Sequence, residues 1–518
     1  MRIGIDYGTT RIVVAAVDRG NYPLVHFEAP DGRDYDWFPS LLAVSGDQRL
    51  YGWEAHERQG QPGWASFRSL KRLLKDAGPR SMIDLAGQEL DISQLMTEMM
   101  AALRRQLLEK STLGARKFDK LEAMLGVPAN ANSNQRFLTQ ESAREAGFEV
   151  LGLLNEPSAA AVEFAFRNGG ERRNRGEGGL LVYDLGGGTF DVALVTLGDS
   201  EGEVIASDGI PNLGGDDFDD ALALLALAEA KKPAPDEPTL TPAEHYTLFE
   251  ECREKKESLN PNSRKITIDL ERVRRNWKEV SFGVDAYYER CRPLIESTRT
   301  IVENLLKGHP EHAIDTLYVT GGGSELPPVA RILRETFGRH VKRSAYMRSA
   351  TAIGLAIRAE GHEDHPLRDR FTTNFGVWRE ADEGRNVIFD VIFPRGIKLP
   401  SRGGEPLRML RSYRPVHNIG YFRYLECAHL GADNQPEGEI SNWDEIRVPF
   451  DPGLRDSTDL TQQPVHRFVP PEGLLIEEEY ICDAGGGVEV RIRDKITQQT
   501  NEYRLGRWSK HRKRTKQR

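Results

Sequence analysis

Short β-branched runs alternate with stretches of helical periodicity from Met1 to about Glu360, the pattern of an α/β unit. Two of the strand-forming runs echo each other. Ile3-Gly4-Ile5-Asp6-Tyr7-Gly8-Thr9-Thr10, followed by the apolar run 12–17, matches Leu181-Val182-Tyr183-Asp184-Leu185-Gly186-Gly187-Gly188-Thr189, followed by 192–197. Each reads as a strand, a glycine turn and a second strand, with an acid at the end of the first strand. Such an echo predicts two related lobes, each presenting one turn to a shared cleft.

Between the two turns, residues 135–146 read as a helix closed by Gly147, and 150–154 as a strand leading into Asn155-Glu156-Pro157 and another helix. A further strand at 317–320 breaks at Gly321-Gly322-Gly323 and restarts as a helix at Pro327-Pro328. After Glu360, His362-Glu363-Asp364-His365-Pro366 reads as a polar hinge, and many short strands with Gly and Pro turns follow, among them 387–393, 445–449 and 488–492. Tyr421-Phe422-Arg423-Tyr424 alternates like a half-buried strand. The predicted domains are therefore an α/β unit at 1–360, a linker at 361–372, a β-rich domain at 373–508 and a basic tail at 509–518. That tail most often means a solvated terminus, with an anionic partner as the sharper alternative.

A chain of 518 residues is too long for one hydrophobic core, which agrees with several domains. The content of 39% hydrophobic and 29% charged residues is that of an ordinary globular protein, and the net charge of -9 argues against a nucleic-acid binder. Cys252, Cys291, Cys427 and Cys482 form no CxxC pair, so neither a disulfide framework nor a zinc site is signalled. No further ligands cluster beside His362 and His365, which favours a polar linker. Asp6 interrupts the N-terminal apolar stretch, and the run 221–230 is too short to span a bilayer and precedes Lys231 and Lys232, so no secretory signal or membrane segment is expected. The expected location is the cytoplasm.

A glycine turn between two strands leaves successive N–H groups free to wrap phosphate oxygens. Two such turns face to face would hold a polyphosphate, with Asp6 and Asp184 placed to orient the water shell of a Mg²⁺ ion bound to it. No GxxxxGK[ST] occurs, which disfavours the P-loop class. Gly321 to Gly323 and Gly214-Gly215-Asp216-Asp217-Phe218-Asp219 add two more glycine turns to the same picture.

With Leu70-Lys71-Arg72-Leu73, Val127-Pro128-Ala129, Gln135-Arg136, Asn155-Glu156-Pro157-Ser158-Ala159-Ala160-Ala161 and Leu213-Gly214-Gly215-Asp216-Asp217-Phe218-Asp219, the chain resembles the heat-shock protein 70 (DnaK-type) family, most strongly over 1–358. The resemblance implies an actin-like ATPase fold, two duplicated lobes around a nucleotide cleft, followed by a β-sandwich-like domain. It implies an ATP-dependent chaperone that slowly hydrolyses ATP and binds exposed peptide, with ATP/ADP and Mg²⁺ as cofactors and K⁺ as a further candidate ion.

Carried onto this sequence, the family's roles give Thr9, Thr10 and Thr189 phosphate contacts, and Asp6, Asp184 and Asp191 the metal and attacking water. They give Lys71 the transferring phosphoryl group and Glu156 water or metal across the cleft. Gly8, Gly186, Gly187, Gly188, Gly214, Gly215, Lys256, Gly321, Gly322 and Gly323 would line the nucleotide. Pro128 and Arg136 match positions that relay nucleotide state to the peptide-binding domain. Unfolded or extended peptide clients, a J-domain co-chaperone and a nucleotide exchange factor are the implied partners.

The chain departs from the family's adenosine pocket. Its positions read Arg253, Lys256, Glu257, Gly323, Glu325 and Arg348, with several charges inverted. These residues can pair with each other and preserve a pocket, or leave the base loosely held. The linker lacks the family's leucine-rich acidic stretch, and no helical segment is predicted after Leu505, so the family's lid is expected to be absent. Three rivals stand beside the ATPase reading: a pseudo-ATPase scaffold, a small-molecule kinase of the same fold, and an actin-like filament protein, which the appended β domain disfavours.

Overall fold

The structure is a computed structural model that describes residues 1–68, 70–74, 81–116, 118–172, 178–197, 202–234, 236–361, 367–381, 385–401, 403–432, 434–455 and 459–504. The predicted hinge at 362–366 and the basic tail at 509–518 lie outside the described residues. The chain divides into two compact units. The first comprises Met1–Leu74, Met82–Asn130 and Thr139–Leu367, and the second gathers Ala131–Leu138 with the chain from Arg368 onward.

The first unit holds two sheets built to one plan. Strands β1 (Arg2–Tyr7), β2 (Arg11–Ala16), β3 (Phe38–Pro39), β4 (Glu122–Val127) and β5 (Glu149–Asn155) lie in the order β5-β4-β1-β2-β3. Strands β6 (Gly178–Leu185), β7 (Phe190–Leu197), β8 (Gly202–Ile210), β9 (Ile314–Thr320) and β10 (Val341–Arg343) lie in the order β10-β9-β6-β7-β8, with Leu367–Arg368 beyond β8. In each sheet the first strand is parallel to its neighbour on one side and antiparallel on the other: β1 with β4 and β2, β6 with β9 and β7. The echo between the two turn motifs is thus a duplication of whole lobes.

Small residues let helices approach these sheets closely. The helices Glu156–Arg172 and Ala350–Glu360 cross at Ala159 and Gly354, where a Cβ on Gly354 would overlap the Ala159 carbonyl. A Cβ on Gly4 of β1 would likewise overlap the backbone of Ala352 and Ala356. Gly361 then ends the second helix in the left-handed conformation, at φ 80°. Behind the second sheet, Phe218, Leu222, Leu248, Cys252, Tyr287 and Ile295 from three helices form a separate core. The helix Pro242–Glu257 starts with a capping box, Thr241 and Glu244 exchanging hydrogen bonds, and with Pro at its first position.

The second unit is a β-sandwich. Strands β11 (Asn374–Ala381), β12 (Asn386–Phe393), β13 (Leu407–Tyr413), β14 (Ile419–Leu430), β15 (Pro436–Pro449), β16 (Ile476–Cys482), β17 (Val488–Asp494) and β18 (Thr500–Arg504) form two antiparallel sheets, β12-β11-β14-β15 and β13-β16-β17-β18. The alternation at 421–424 behaves as expected: Phe422 and Tyr424 join the core while Tyr421 and Arg423 face out. Most strands of this unit are short, as expected, but β14 and β15 run for 12 and 14 residues, and the predicted strand at 445–449 is the end of β15. The register of that pair shifts between Arg423 and Leu425 and again between Cys427 and His429.

Burial also places an acid inside the sandwich. Ile476, Glu478, Tyr480 and Cys482 alternate inward along β16, and Glu478 is fully buried among them. Its carboxylate accepts hydrogen bonds from Arg379 at 2.6 Å, Tyr480 at 2.6 Å and Tyr413, so the buried charge is satisfied. Arg379 in turn donates to Asp390 at 2.6 Å, and Arg411 donates to Asp390 at 2.9 Å. All four cysteines of the chain are free and buried. No helix among the described residues is long and apolar enough to cross a membrane.

Candidate functional site

The two glycine turns meet. Gly8 to Thr10 follow β1, Gly186 to Thr189 follow β6, and a Cβ on Gly188 would lie 2.5 Å from Thr9 Cγ2, while one on Gly187 would overlap the Thr10 hydroxyl. A third glycine segment nests against them: Gly215 N–H donates to Gly186 O at 2.9 Å, Asp216 N–H to Gly187 O at 2.8 Å, and a Cβ on Gly214 would lie 2.6 Å from Gly187. The fourth closes the cradle. Gly321 holds φ +84°, which a side chain rarely adopts, and a Cβ there would overlap Leu185 O and the Asp184 carboxylate. A Cβ on Gly323 would lie 2.7 Å from Gly186 O, whereas Gly322 leaves ordinary contact room beside Arg348. Backbone thus lines this cradle, with the N-terminus of the helix Gly215–Ala230 opening onto it.

Beside the cradle, acids from both lobes converge. Asp6 is the penultimate residue of β1, and Asp184 of β6 lies opposite Asp191 of β7 in register. Burial, reinforced by the Glu156 charge, pushes Asp6 up to about 7 from an ordinary 3.8, with Lys71 opposing the shift. Burial and Glu156 push Asp191 up to about 7 as well, against hydrogen bonds from Ala129 N–H, at 2.9 Å, and Thr189. Asp184 rises well above the usual carboxylate range through burial and the charges of Glu156, Asp191 and Asp6. Lys71, on the short helix Leu70–Leu73, pairs with Glu156. Burial works against its charge, and Glu156, Asp6 and Asp191 outweigh it, so the ammonium is held above its ordinary value.

One lysine therefore faces four carboxylates, a deficit of positive charge that a divalent cation would fill. Among the described residues no group of three or more His, Cys, Asp or Glu is arranged to grip a metal directly. The set fits an ion held through its own waters and through phosphate oxygens, as Mg²⁺ is.

The remaining residues singled out from the sequence fall around this centre. Lys256 donates to Gly215 O at 2.7 Å and pairs with Asp219 at 2.8 Å, so it braces the third glycine turn. Pro128 precedes Ala129, whose N–H holds Asp191. Arg136 belongs to the second unit, where it donates to Ala131 O at 3.2 Å and Gly485 O at 3.4 Å. The inverted charges pair with each other: Glu257 accepts from Arg253 at 3.2 Å and Arg348 at 3.3 Å, and Arg348 donates to Glu325 at 2.8 Å.

Two residues escaped sequence reasoning. Arg72 donates to Gly188 O at 2.9 Å and pairs with Asp217 at 2.9 Å, bracing one turn from the other lobe. Arg11 pairs with Glu257 at 2.7 Å and lies 4.9 Å over the Trp37 ring. Their positions beside Lys71 and Thr10 were the available signal; their partners lie far along the chain.

Known proteins match this arrangement. A family profile described as Hsp70 protein matches residues 2–369. A chaperone protein DnaK from Thermosipho africanus is 27% identical over 514 residues, covering 95% of this chain and 77% of the relative. One from Thermotoga neapolitana is 29% identical over 423 residues, covering 77% of this chain and 66% of the relative. A chaperone protein HscA homolog from Polynucleobacter necessarius is 30% identical over 384 residues, covering 69% of this chain and 58% of the relative. Duplicated lobes, facing glycine turns, a β-sandwich and a profile match across most of the chain lead to one conclusion: the chain belongs to the Hsp70 protein family, with its actin-like ATPase fold.

Proposed function

We propose that this chain is an ATP-dependent chaperone whose first unit hydrolyses Mg-ATP and whose sandwich binds exposed peptide segments. The observation that carries the ATPase reading is the convergence of Asp6, Asp184, Asp191 and Glu156 on Lys71 beside a cradle of glycine backbone. Gly8, Thr9, Thr10, Gly186 to Thr189, Gly214, Gly215 and Gly321 to Gly323 would hold the phosphates by N–H and hydroxyl donors. Mg²⁺, when bound, would neutralise phosphate charge and order the attacking water. Asp6, Asp184 and Asp191 would orient its water shell, Glu156 would position water across the cleft, and Lys71 would stabilise charge on the transferring phosphoryl group. Phosphoryl transfer asks for positioning and charge stabilisation more than for a strong base, which suits buried acids of this kind.

For the sandwich, β12, β13 and β15 are edge strands, and Val387, Ile388, Leu410 and Ile440 stand exposed on them. Free main-chain groups beside exposed apolar side chains suit an extended peptide. Pro128, one residue from the N–H that holds Asp191, and Arg136 would relay nucleotide state to this domain, with a J-domain co-chaperone and an exchange factor as partners. Four free buried thiols agree with the cytoplasm.

Single-turnover hydrolysis of Mg-ATP by the full chain, with an Asp184→Asn control, tests the reading. Turnover lost in the control supports it; no turnover in the parent chain favours a nucleotide-sensing scaffold, the reading suggested by the ion-paired charges at Glu257, Glu325 and Arg348.

A further inference from the structure

Among the described residues, strand β10 is the outer strand of its sheet and pairs with β9 alone. Ser344 N–H, one residue past it, donates to Val319 O at 2.9 Å. Strand backbone turns its polar groups to alternate sides, so Lys342 also faces β9, while Val341 and Arg343 turn theirs away from it. The turn Gly338–His340 takes up the Val341 N–H, which donates to Gly338 O. The Val341 carbonyl and both main-chain groups of Arg343 meet no partner among the described residues and lie open along the edge.

The same stretch is basic. Arg334 lies in the last turn of the helix Pro327–Phe337, which packs beside β10. Arg334, Arg339, Lys342 and Arg343 are all exposed, and none of the four has an ion pair or hydrogen bond among the described residues. On the neighbouring helix Val284–Gly308, by contrast, Arg292 pairs with Glu289 and Arg299 with Glu296, each at 2.7 Å. Glu335 is the acid of the segment 327–345, and Asp315 on β9 adds a second, in a chain whose net charge is -9. Lys342 shares a sheet face with Tyr318, and Arg343 shares the opposite face with Val319.

Cations on an open edge repel a second copy of that edge, which guards it against self-pairing. An acidic strand meets the reverse. Its main chain can bond to the open groups while its carboxylates, turned to alternate faces, reach Arg343 and Lys342 in turn. A phosphate backbone can use the cations but has no strand to add to the edge.

We propose that β10, with Arg334, Arg339, Lys342 and Arg343, is a docking surface for an extended acidic segment of a partner protein, bound as an added strand. The surface belongs to the first unit and does not rest on the peptide-binding reading of the sandwich. Fluorescence anisotropy of the full chain tests it with three labelled probes: decaglutamate, a proline-interrupted peptide with as many glutamates, and single-stranded DNA of matching charge. Decaglutamate should bind more tightly than the DNA, and about tenfold more tightly than the proline peptide, which keeps the charge but cannot pair as a strand. Charge reversal by Lys342→Glu with Arg343→Glu should weaken decaglutamate by at least about tenfold. In the parent chain, decaglutamate should protect the Arg343 amide from hydrogen exchange. Equal binding of the two peptides, tighter binding of the DNA, binding undiminished by charge reversal, an unprotected Arg343 amide or no binding at all would overturn the proposal. Should the variant fail to fold, the peptide comparison and the Arg343 amide of the parent chain decide.

Discussion

The ammonium of Lys71 and the carboxylate of Glu156 form an ion pair in which each side chain is less than a tenth exposed. Removing one partner of a buried pair leaves the other charge uncompensated, here beside three further acids, Asp6, Asp184 and Asp191. Lys71→Ala is expected to destabilise the first unit by about 3–5 kcal/mol and abolish hydrolysis. Urea unfolding at neutral pH, read beside single-turnover kinetics, checks both effects.

Asp184 should show the opposite trade. Its carboxylate is held well above its ordinary pKa by burial and by the charges of Glu156, Asp191 and Asp6. Asp184→Asn removes that repulsion, so the nucleotide-free chain should melt at a higher temperature than the parent. Hydrolysis should meanwhile fall by roughly two to three orders of magnitude. A variant that melts lower would show that the carboxylate is stabilised by contacts stronger than the repulsion.

Gly354 is a packing residue with no chemistry of its own. A methyl group there would overlap the Ala159 carbonyl, a backbone atom that cannot rotate away, so the two helices must separate. Gly354→Ala should destabilise by at least the ~1–3 kcal/mol typical of overpacking. Thermal melting followed by circular dichroism gives the answer, and an unchanged midpoint would mean that the helix pair shifts freely.

Two acids predict pH effects of opposite sign. Burial outweighs the Lys256 charge at Asp219 and raises it to about 7 from 3.8, so the folded chain favours its protonated form. Its contribution to stability is full below 3.8 and is lost as pH rises through about 7. Glu257 runs the other way: burial is overcome by Arg11, Arg253 and Arg348, which hold it at about 2 against 4.5. Its contribution is full above 4.5 and is lost as pH falls through about 2. Urea midpoints measured across pH should therefore lose part of their decline toward neutrality in Asp219→Asn, and part of their acid decline in Glu257→Gln.

In the sandwich, Glu478 is the buried charge to test. Arg379→Ala would strip its guanidinium partner and leave two tyrosine hydroxyls. A loss of about 3–5 kcal/mol is expected for this unit, with less loss in the charge-free pair Arg379→Met with Glu478→Gln. A double-mutant cycle on unfolding separates the pair from its surroundings.

What the sequence determined by itself is local. Strand, glycine turn and strand are encoded by residues within a few positions of one another, so Asp6 with Gly8 to Thr10 and Asp184 with Gly186 to Thr189 were legible as a repeated device. The alternation at Phe422 and Tyr424 was legible for the same reason. What only the tertiary structure decided is which charges meet. Lys71 finds Glu156 85 residues away, Arg379 finds Glu478 99 residues away, and Arg11 finds Glu257 246 residues away. An ion pair depends on separation in space, which no local pattern records. Period-two alternation could place Glu478 on the inner face of β16, but only the folded sandwich supplies the arginine and tyrosines that make its burial tolerable.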